Sequence, residues 1–540
     1  MRQDKTDSRT KMQIPIVIGV TGHRTIREQD YSVIYAAVTK ELQRLREQYP
    51  HSPFVMLSSL AEGGDLLCAD AAKELGIPLI AALPREREDY VQDFGGEGKA
   101  RFDRHLAAAK QVFVVPASEA GPGSSSLRNY QFRQAGIYVA AHCHILMALW
   151  DGEPGRHGCG TAETVDFALK GSYNPASGMC LRSEDNAAVI HIFTPRGDHP
   201  GQAAGTVRIL GNRESVTQIL GRTDDFNKNT ALIRSSGTSR LPEGAKSDSV
   251  LTKMDLISRA AGILSRKAAG LYRRILALLA AASALLTFAF LMYDEAGANR
   301  MILVCGAMLI AAWACQRYAR RSDCHRRYIE YRALAESLRV QTYLRYAGSG
   351  IQAAGLFSWT QQEETAWILD ALLALTVGET PKTGHDIRAC WVEAQREYHR
   401  EASGKAGAKL STSDRIVNIA LILSVGLYLS AVGYELLCGG LIFRPALTVT
   451  DVELWRTVLK ILLGTISAVT LFIANYYGRL SLPRVLSDHR KMERFYASMS
   501  AQLERRGQTE ELLAILAREE LTENGNWSSY QRDNTPDISL

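Results

Sequence analysis

The feature that most restricts this chain is the run 275–293, nineteen residues of Ile, Leu, Ala, Phe and their like without one charge. At 1.5 Å per helical residue, such a run covers about 30 Å, the thickness of a bilayer's hydrocarbon layer. A shorter run, 301–316, follows after the loop 294–300, so the two form a helical hairpin; 416–434 and 461–478 form a second pair. Four crossings are expected. Arg266, Lys267, Arg273 and Arg274 precede the first run, and Arg317, Arg320, Arg321, Arg326 and Arg327 follow the second. Lys405, Lys409 and Arg415 precede the third, and Arg479 and Arg484 follow the fourth. The positive-inside bias then places both hairpin feet, and with them the N- and C-termini, on the cytoplasmic side. The polar N-terminus agrees, because the first apolar run behind it is too short and too rich in Val and Ile for a secretory signal.

The first 250 residues read differently. With 540 residues the chain is long enough for three or four units, and 46% hydrophobic with 22% charged residues excludes collagen, wholesale disorder and a protein made only of spans. The formal charge of +6 is accounted for by arginines flanking the apolar runs, so no nucleic-acid partner is expected. Nine cysteines form no CxxC pair and no zinc spacing, which indicates neither a disulfide framework nor a metal site.

Strands are predicted at 14–20, 54–60, 77–83, 111–115, 144–149 and 189–193, with helical patterns at 28–48, after Asp65, and around 99–109, 129–141 and 161–169. Alternating strands and helices predict an α/β fold, a Rossmann-like doubly wound parallel sheet, followed by an all-α transmembrane helical region. The expected division is a nucleotide-binding domain at 1–198 and a linker at 199–250, which is poor in large apolar clusters. A first hairpin with cytoplasmic helices follows at 251–405, a second hairpin with a cytoplasmic helix at 406–515, and a polar tail at 516–540. A weak repeat joins the hairpins: Ser322-Asp323-Cys324-His325-Arg326-Arg327 after one, Ser487-Asp488-His489-Arg490-Lys491 after the other. Glu435 and Lys460 stand at the ends of the second hairpin, which gives no support to a proton relay at the bilayer centre. His142 and His144 are expected in the core rather than as ligands.

Three turns carry the chemistry. Gly19, Thr21, Gly22, His23 and Arg24 end the first strand ahead of a helix, where a tight turn can aim amide N–H groups at a phosphate with Arg24 beside them. Ser58, Ser59, Glu62, Gly63 and Asp65 end the second; the acidic pair suits ribose hydroxyls or a base, and capping of the next helix is its structural alternative. Asp151, Gly158, Gly160, Thr161 and Glu163 make a third, a glycine-rich loop in which Thr161 can bond a phosphate oxygen at a helix N-terminus. No catalytic residue and no metal ligand is assigned.

In its Gly-Val-Thr-Gly-His-Arg, Ser-Ser-Leu-Ala-Glu-Gly-Gly-Asp and Gly-Cys-Gly-Thr-Ala-Glu segments, over about 14–195, the chain resembles the SLOG family, relatives of the DNA-processing protein A and of lysine-decarboxylase-like nucleotide-binding proteins. The resemblance implies recognition of a signalling nucleotide or an NAD-derived nucleotide. Some relatives are phosphoribohydrolases with the signature Pro-Gly-Gly-x-Gly-Thr-x-x-Glu; here the position of the final glutamate is Thr164. The segment from Tyr328 to Arg339, after a two-span hairpin, is similar to SLATT membrane modules. Together these resemblances imply a sensor-effector of bacterial anti-phage defence in the inner membrane: a nucleotide second messenger binds the SLOG-like part, and a homo-oligomer perturbs the bilayer by pore formation. The alternative, a membrane-anchored nucleotide or NAD hydrolase, lacks the carboxylate expected at position 164.

Overall fold

The computed structural model describes residues 12–116, 127–155, 159–170, 186–196, 202–233, 239, 241–242, 245, 248–378, 384–437, 452–479 and 482–533, the side chains of 359–364, 452 and 471–479 excepted. In chain order the sheet region comprises β1 (Ile16–Gly22), α1 (Glu28–Gln48), β2 (Phe54–Ser58), α2 (Gly64–Glu74), β3 (Leu79–Leu83), α3 (Gly96–Ala108), β4 (Gln111–Val114), α4 (Leu127–His142), β5 (Ile145–Trp150), α5 (Thr161–Lys170), β6 (Ala188–Phe193), β7 (Val207–Gly211) and α6 (Arg213–Thr230). One helical turn, Arg87–Tyr90, lies between β3 and α3.

The strands form one sheet in the order β4-β3-β2-β1-β5-β6-β7. The pairings from β4 through β6 are parallel, and β7 closes the edge antiparallel to β6. The period of two in β1 explains the two-sided burial: Ile16, Ile18 and Val20 enter one core with α1 and α2, while Val17 enters another with Ala135 and Val139 of α4 and Val165 of α5. The strand order reverses between β1 and β5, and a doubly wound sheet opens its crevice at that point, beyond the carboxyl ends of the strands.

Part of the segment 199–250, expected as a linker, belongs instead to the sheet domain, as β7 (Val207–Gly211) and α6 (Arg213–Thr230). Val216 and Leu220 of α6 are buried in the first cluster. Asn227, fully buried, accepts from Ile14 N (2.8 Å) and donates to Ile14 O (2.8 Å) and Ser52 Oγ (2.9 Å). An amide satisfied on both sides fixes the chain ahead of β1. Val216, Ile219 and Leu220 stand at helical spacing, i, i+3 and i+4, so the buried face of α6 is present in the sequence although few apolar residues surround it.

The helices that follow are α7 (Ser249–Asp294), α8 (Met301–Ser322), α9 (Cys324–Tyr346), α10 (Trp359–Leu375), α11 (Ala394–Leu437), α12 (Val452–Arg479), α13 (Leu482–Arg506) and α14 (Glu510–Asp533). The chain divides into two compact units, but not into the consecutive blocks expected. Met1–Leu264, Glu330–Ile387 and Gln508–Ser528 form one; Ser265–Ile329, Arg388–Gly507 and Ser529–Leu540 form the other. Within the first unit Ala374 and Val377 pack on the sheet's second core, and the Tyr138 hydroxyl accepts from Gly378 N (3.0 Å). The helical layer and the sheet thus share a core, because α10 brings its own apolar face.

The helical stretches Ser249–Asp294, Met301–Tyr346 and Arg388–Leu437 are long and apolar enough to cross a membrane. The fourth expected span lies on α12, part of whose side chains fall outside the described residues. The weak repeat is not structural: Asp323 sits at φ 52°, breaking α8 from α9, whereas 487–491 lie inside the unbroken α13. Arg456 pairs with both carboxylate oxygens of Glu435 (2.5 and 2.6 Å), and Lys460 with Glu295 (2.9 Å), so these ionisable groups are matched at the helix ends.

Candidate ligand-binding cleft

At the switch point lies a cleft of about 1040 Å³, lined from β1 and its turn, the β2–α2 turn, α4, the segment after β5, and the start of α5. Of the expected site residues, Thr21, Gly22, His23, Arg24, Ser59, Asp65, Gly160, Thr161 and Glu163 line it. The first two turns are one structure. Gly64 N donates to His23 O (2.9 Å), and a Cβ on Gly22 would come within 2.8 Å of Gly64 Cα. Gly63 has φ +85°, and a Cβ there would overlap the carbonyl oxygens of His23 and Arg24. Only glycine meets both demands, left-handed backbone and close approach.

The remaining candidates hold the walls. Gly19 admits α4: its Cβ would meet Cys143 Sγ at 2.7 Å. Glu62 lies with its carboxylate over Gly98 in the first turn of α3, where the helix dipole favours a negative charge, away from the cleft lining. Ser58 is fully buried, donating to Asp65 Oδ2 (2.8 Å) and accepting from Leu60 N (2.9 Å). That bond supports the left-handed Leu60, φ 55°. Gly158 lies outside the described residues. His142 and His144 are buried as expected; His144 Nδ1 accepts from Val17 N (3.0 Å).

Asp65 sits on the cleft floor, and burial pushes its pKa up to about 7 against the opposing bond from Ser58. Near neutrality it therefore exists in part as a carboxylic acid able to donate. Asp151 is an organiser rather than a liner. It accepts from Arg196 Nε (2.6 Å) and Glu153 N (3.1 Å), and lies 3.1 Å from His23 Nε2. Burial works to raise its pKa, yet the Glu153 amide, Arg196 and His23 together hold it below the usual carboxylate range. Asp151 N also donates to His23 Nε2 (3.1 Å), and burial lowers the imidazole's pKa against the opposing attraction of Asp151.

Arg24 is not a bare cation. Its guanidinium lies 5.0 Å from the Phe132 ring and 3.6 Å from Asp93 Oδ2; Asp93 is also paired with Arg128. Two guanidiniums share one buried carboxylate, leaving one positive charge over for the cleft. Arg196 adds a third guanidinium, half exposed. At the far wall the start of α5, Thr161 to Thr164, lines the cleft, and the first-turn amides of a helix have no helical carbonyl to bond. Glu163 Oε1 is held by Arg133 (3.1 Å), while burial raises its pKa and Oε2 has no hydrogen-bond partner among the described residues. Thr164 Oγ1 donates to Gly160 O (3.0 Å) and packs on Gly136, so this hydroxyl is committed to holding α5 against α4.

Tyr90, Arg128, Phe132 and Arg196, which sequence patterns did not single out, also line the cleft. They come from helices and loops without glycine turns, and only the fold brings them there. Among the described residues no group of three His, Cys, Asp or Glu is placed to hold a metal ion. Neither a protein-family model nor a curated protein matches the chain.

Proposed function

We propose that this protein is a membrane-bound sensor-effector: its sheet domain, SLOG-like, binds a signalling nucleotide or NAD-derived nucleotide in the switch-point cleft. Four spans, SLATT-like, oligomerise to perturb the inner membrane by pore formation, the last step of an anti-phage response. The observation that carries the reading is one cleft combining a helix N-terminus, three arginines and a buried acid near its pKa. The helix terminus and guanidiniums suit phosphates, and the Asp65 carboxyl suits a hydroxyl or base edge. A volume of about 1040 Å³ accommodates a nucleotide with more than one phosphate. Arginines at the hairpin feet favour cytoplasmic termini.

For ligand binding to drive the spans, the two conformations must differ in affinity for it, since equal affinity shifts nothing. Mass spectrometry of small molecules retained by the full chain, purified from membranes, tests the reading. A nucleotide retained by the wild type and lost from Arg24→Ala and Gly160→Glu supports it; no retained anion, or unchanged retention in both variants, refutes the cleft assignment. Growth arrest on expression, lost in the same variants while the protein stays in the membrane fraction, connects binding to effect. Hydrolysis is the second reading, favoured by Glu163 Oε2, which has no hydrogen-bond partner among the described residues, and by Asp65 near neutrality. Product appearing from the retained nucleotide distinguishes the two.

A further inference from the structure

The first hairpin carries an uncompensated charge at its foot. From 265 to 293 and from 301 to 322 there is no Asp or Glu, yet Arg266, Lys267, Arg273, Arg274, Arg317, Arg320 and Arg321 lie there. The next acid, Asp323, is taken by Arg326 (2.5 Å). Arg274, Arg317, Arg320 and Arg321 are exposed, and no carboxylate pairs with them among the described residues; Arg273 reaches only the Ala269 carbonyl (3.3 Å).

The packing sets these groups at one height. α7 and α8 run antiparallel, with Ile275 and Leu279 in one cluster with Ala312 and Cys324, and the Tyr272 and His325 rings are 4.6 Å apart. Arg273 and Arg274 therefore stand level with the end of α8. Arg317 to Arg321 covers about 6 Å of helix rise, which matches the roughly 5–7 Å polar layer of one leaflet. Arg317, Arg320 and Arg321 fall at i, i+3 and i+4, on one face. One turn above Arg317 on that face is Trp313, 62% exposed, and Ile310 and Leu309 beyond it are exposed too. Guanidiniums below an aromatic ring below an aliphatic surface match a phosphate, a glycerol interface and an acyl chain in order.

We infer that Arg273, Arg274, Arg317, Arg320 and Arg321 form a site for the phosphate headgroup of an anionic phospholipid, with its acyl chains along the face of Trp313 and Ile310. The site rests on the membrane reading of the hairpin and is independent of any ligand in the sheet cleft. A soluble anion would engage the guanidiniums alone; a lipid engages both parts of the face. Bound lipid would fix the depth of the foot in the bilayer and tie the hairpin to anionic membranes.

The test titrates dansyl-labelled phosphatidylglycerol, and phosphatidylcholine with the same label, into the full chain in a non-ionic detergent, read by energy transfer from tryptophan. The wild type is expected to prefer phosphatidylglycerol at least tenfold. The variant R317Q/R320Q/R321Q loses on the order of 100-fold in that affinity and keeps its phosphatidylcholine affinity; R317K/R320K/R321K, which retains the charge, recovers most of it. Arg300→Gln, at the opposite end of the hairpin, changes nothing. Equal affinity of the wild type for the two lipids overturns the site, as does an unchanged glutamine variant. Displacement of the lipid by glycerol phosphate at matched phosphate concentration makes it a soluble-anion site and overturns the lipid assignment. A chain that stays monodisperse in buffer without detergent overturns the membrane reading itself, a separate result.

Discussion

The arginines of the sheet unit and those at the foot of the first hairpin are used in opposite ways. In the sheet unit Arg101 holds Asp70 (2.5 Å), Arg196 holds Asp151 (2.6 Å), Arg222 holds Glu330 (3.0 Å) and Arg339 holds Glu520 (2.5 Å), the carboxylates of the last three being buried. At the hairpin foot Arg274, Arg317, Arg320 and Arg321 have no carboxylate partner among the described residues. A buried acid is costly unless a cation answers it, so the first group is tied to the fold; an exposed cation costs little and stays available to something outside the chain. Glycines divide likewise: Gly63 is locked by two carbonyls, while a Cβ at Gly426 on α11 would meet nothing within 4 Å.

The largest effect expected concerns Asp65. Its folded pKa of about 7 lies above the 3.8 of a free aspartate side chain, so the folded state holds a proton the unfolded chain releases. The associated stability is complete below about pH 4 and is lost as pH rises through 7. Asp65→Asn therefore gains on the wild type by on the order of 4 kcal/mol between pH 4 and pH 8, measured by denaturant unfolding at each pH. A parallel pH dependence in both proteins would show Asp65 to be ionised throughout.

Gly63→Ala is expected to cost about 3 kcal/mol, from left-handed backbone plus steric overlap, and Gly426→Ala close to nothing; equal melting temperatures for the two would remove the contrast between the regions. Arg339→Gln leaves the Glu520 carboxylate, 4% exposed, short of its cation, for a loss of about 2 kcal/mol. Arg320→Gln, read in the same unfolding assay in phosphatidylcholine-detergent micelles, stays within about 0.5 kcal/mol of the wild type. A loss as large as that of Arg339→Gln would mean the foot arginines are structural after all.

Much of the sheet was legible because its signals are local. β1, β2 and β5 are short apolar runs closed by glycine or by a polar turn, and each of the three turns expected to gather does contribute residues to one cleft. The reading failed where a residue's role depends on a distant neighbour. Glu62 faces α3 rather than the cleft, Gly19 is spent on Cys143, and Arg24 is shared with Asp93, a residue no motif marks. Val216 and Leu220 lie in a segment poor in large apolar clusters, and their burial is decided by β7 and α6 closing over the first core.

What the amino-acid order by itself determined is whatever rests on spacing along the chain: strands from period two, apolar helices from length, turns from glycine. Pairing of charges is different, because a guanidinium and a carboxylate a hundred residues apart carry no mark of each other. Tertiary structure alone decided that the arginines around the cleft are answered by carboxylates while those at the hairpin foot have none among the described residues, since Coulomb attraction acts over ångströms of space, whatever the distance in sequence.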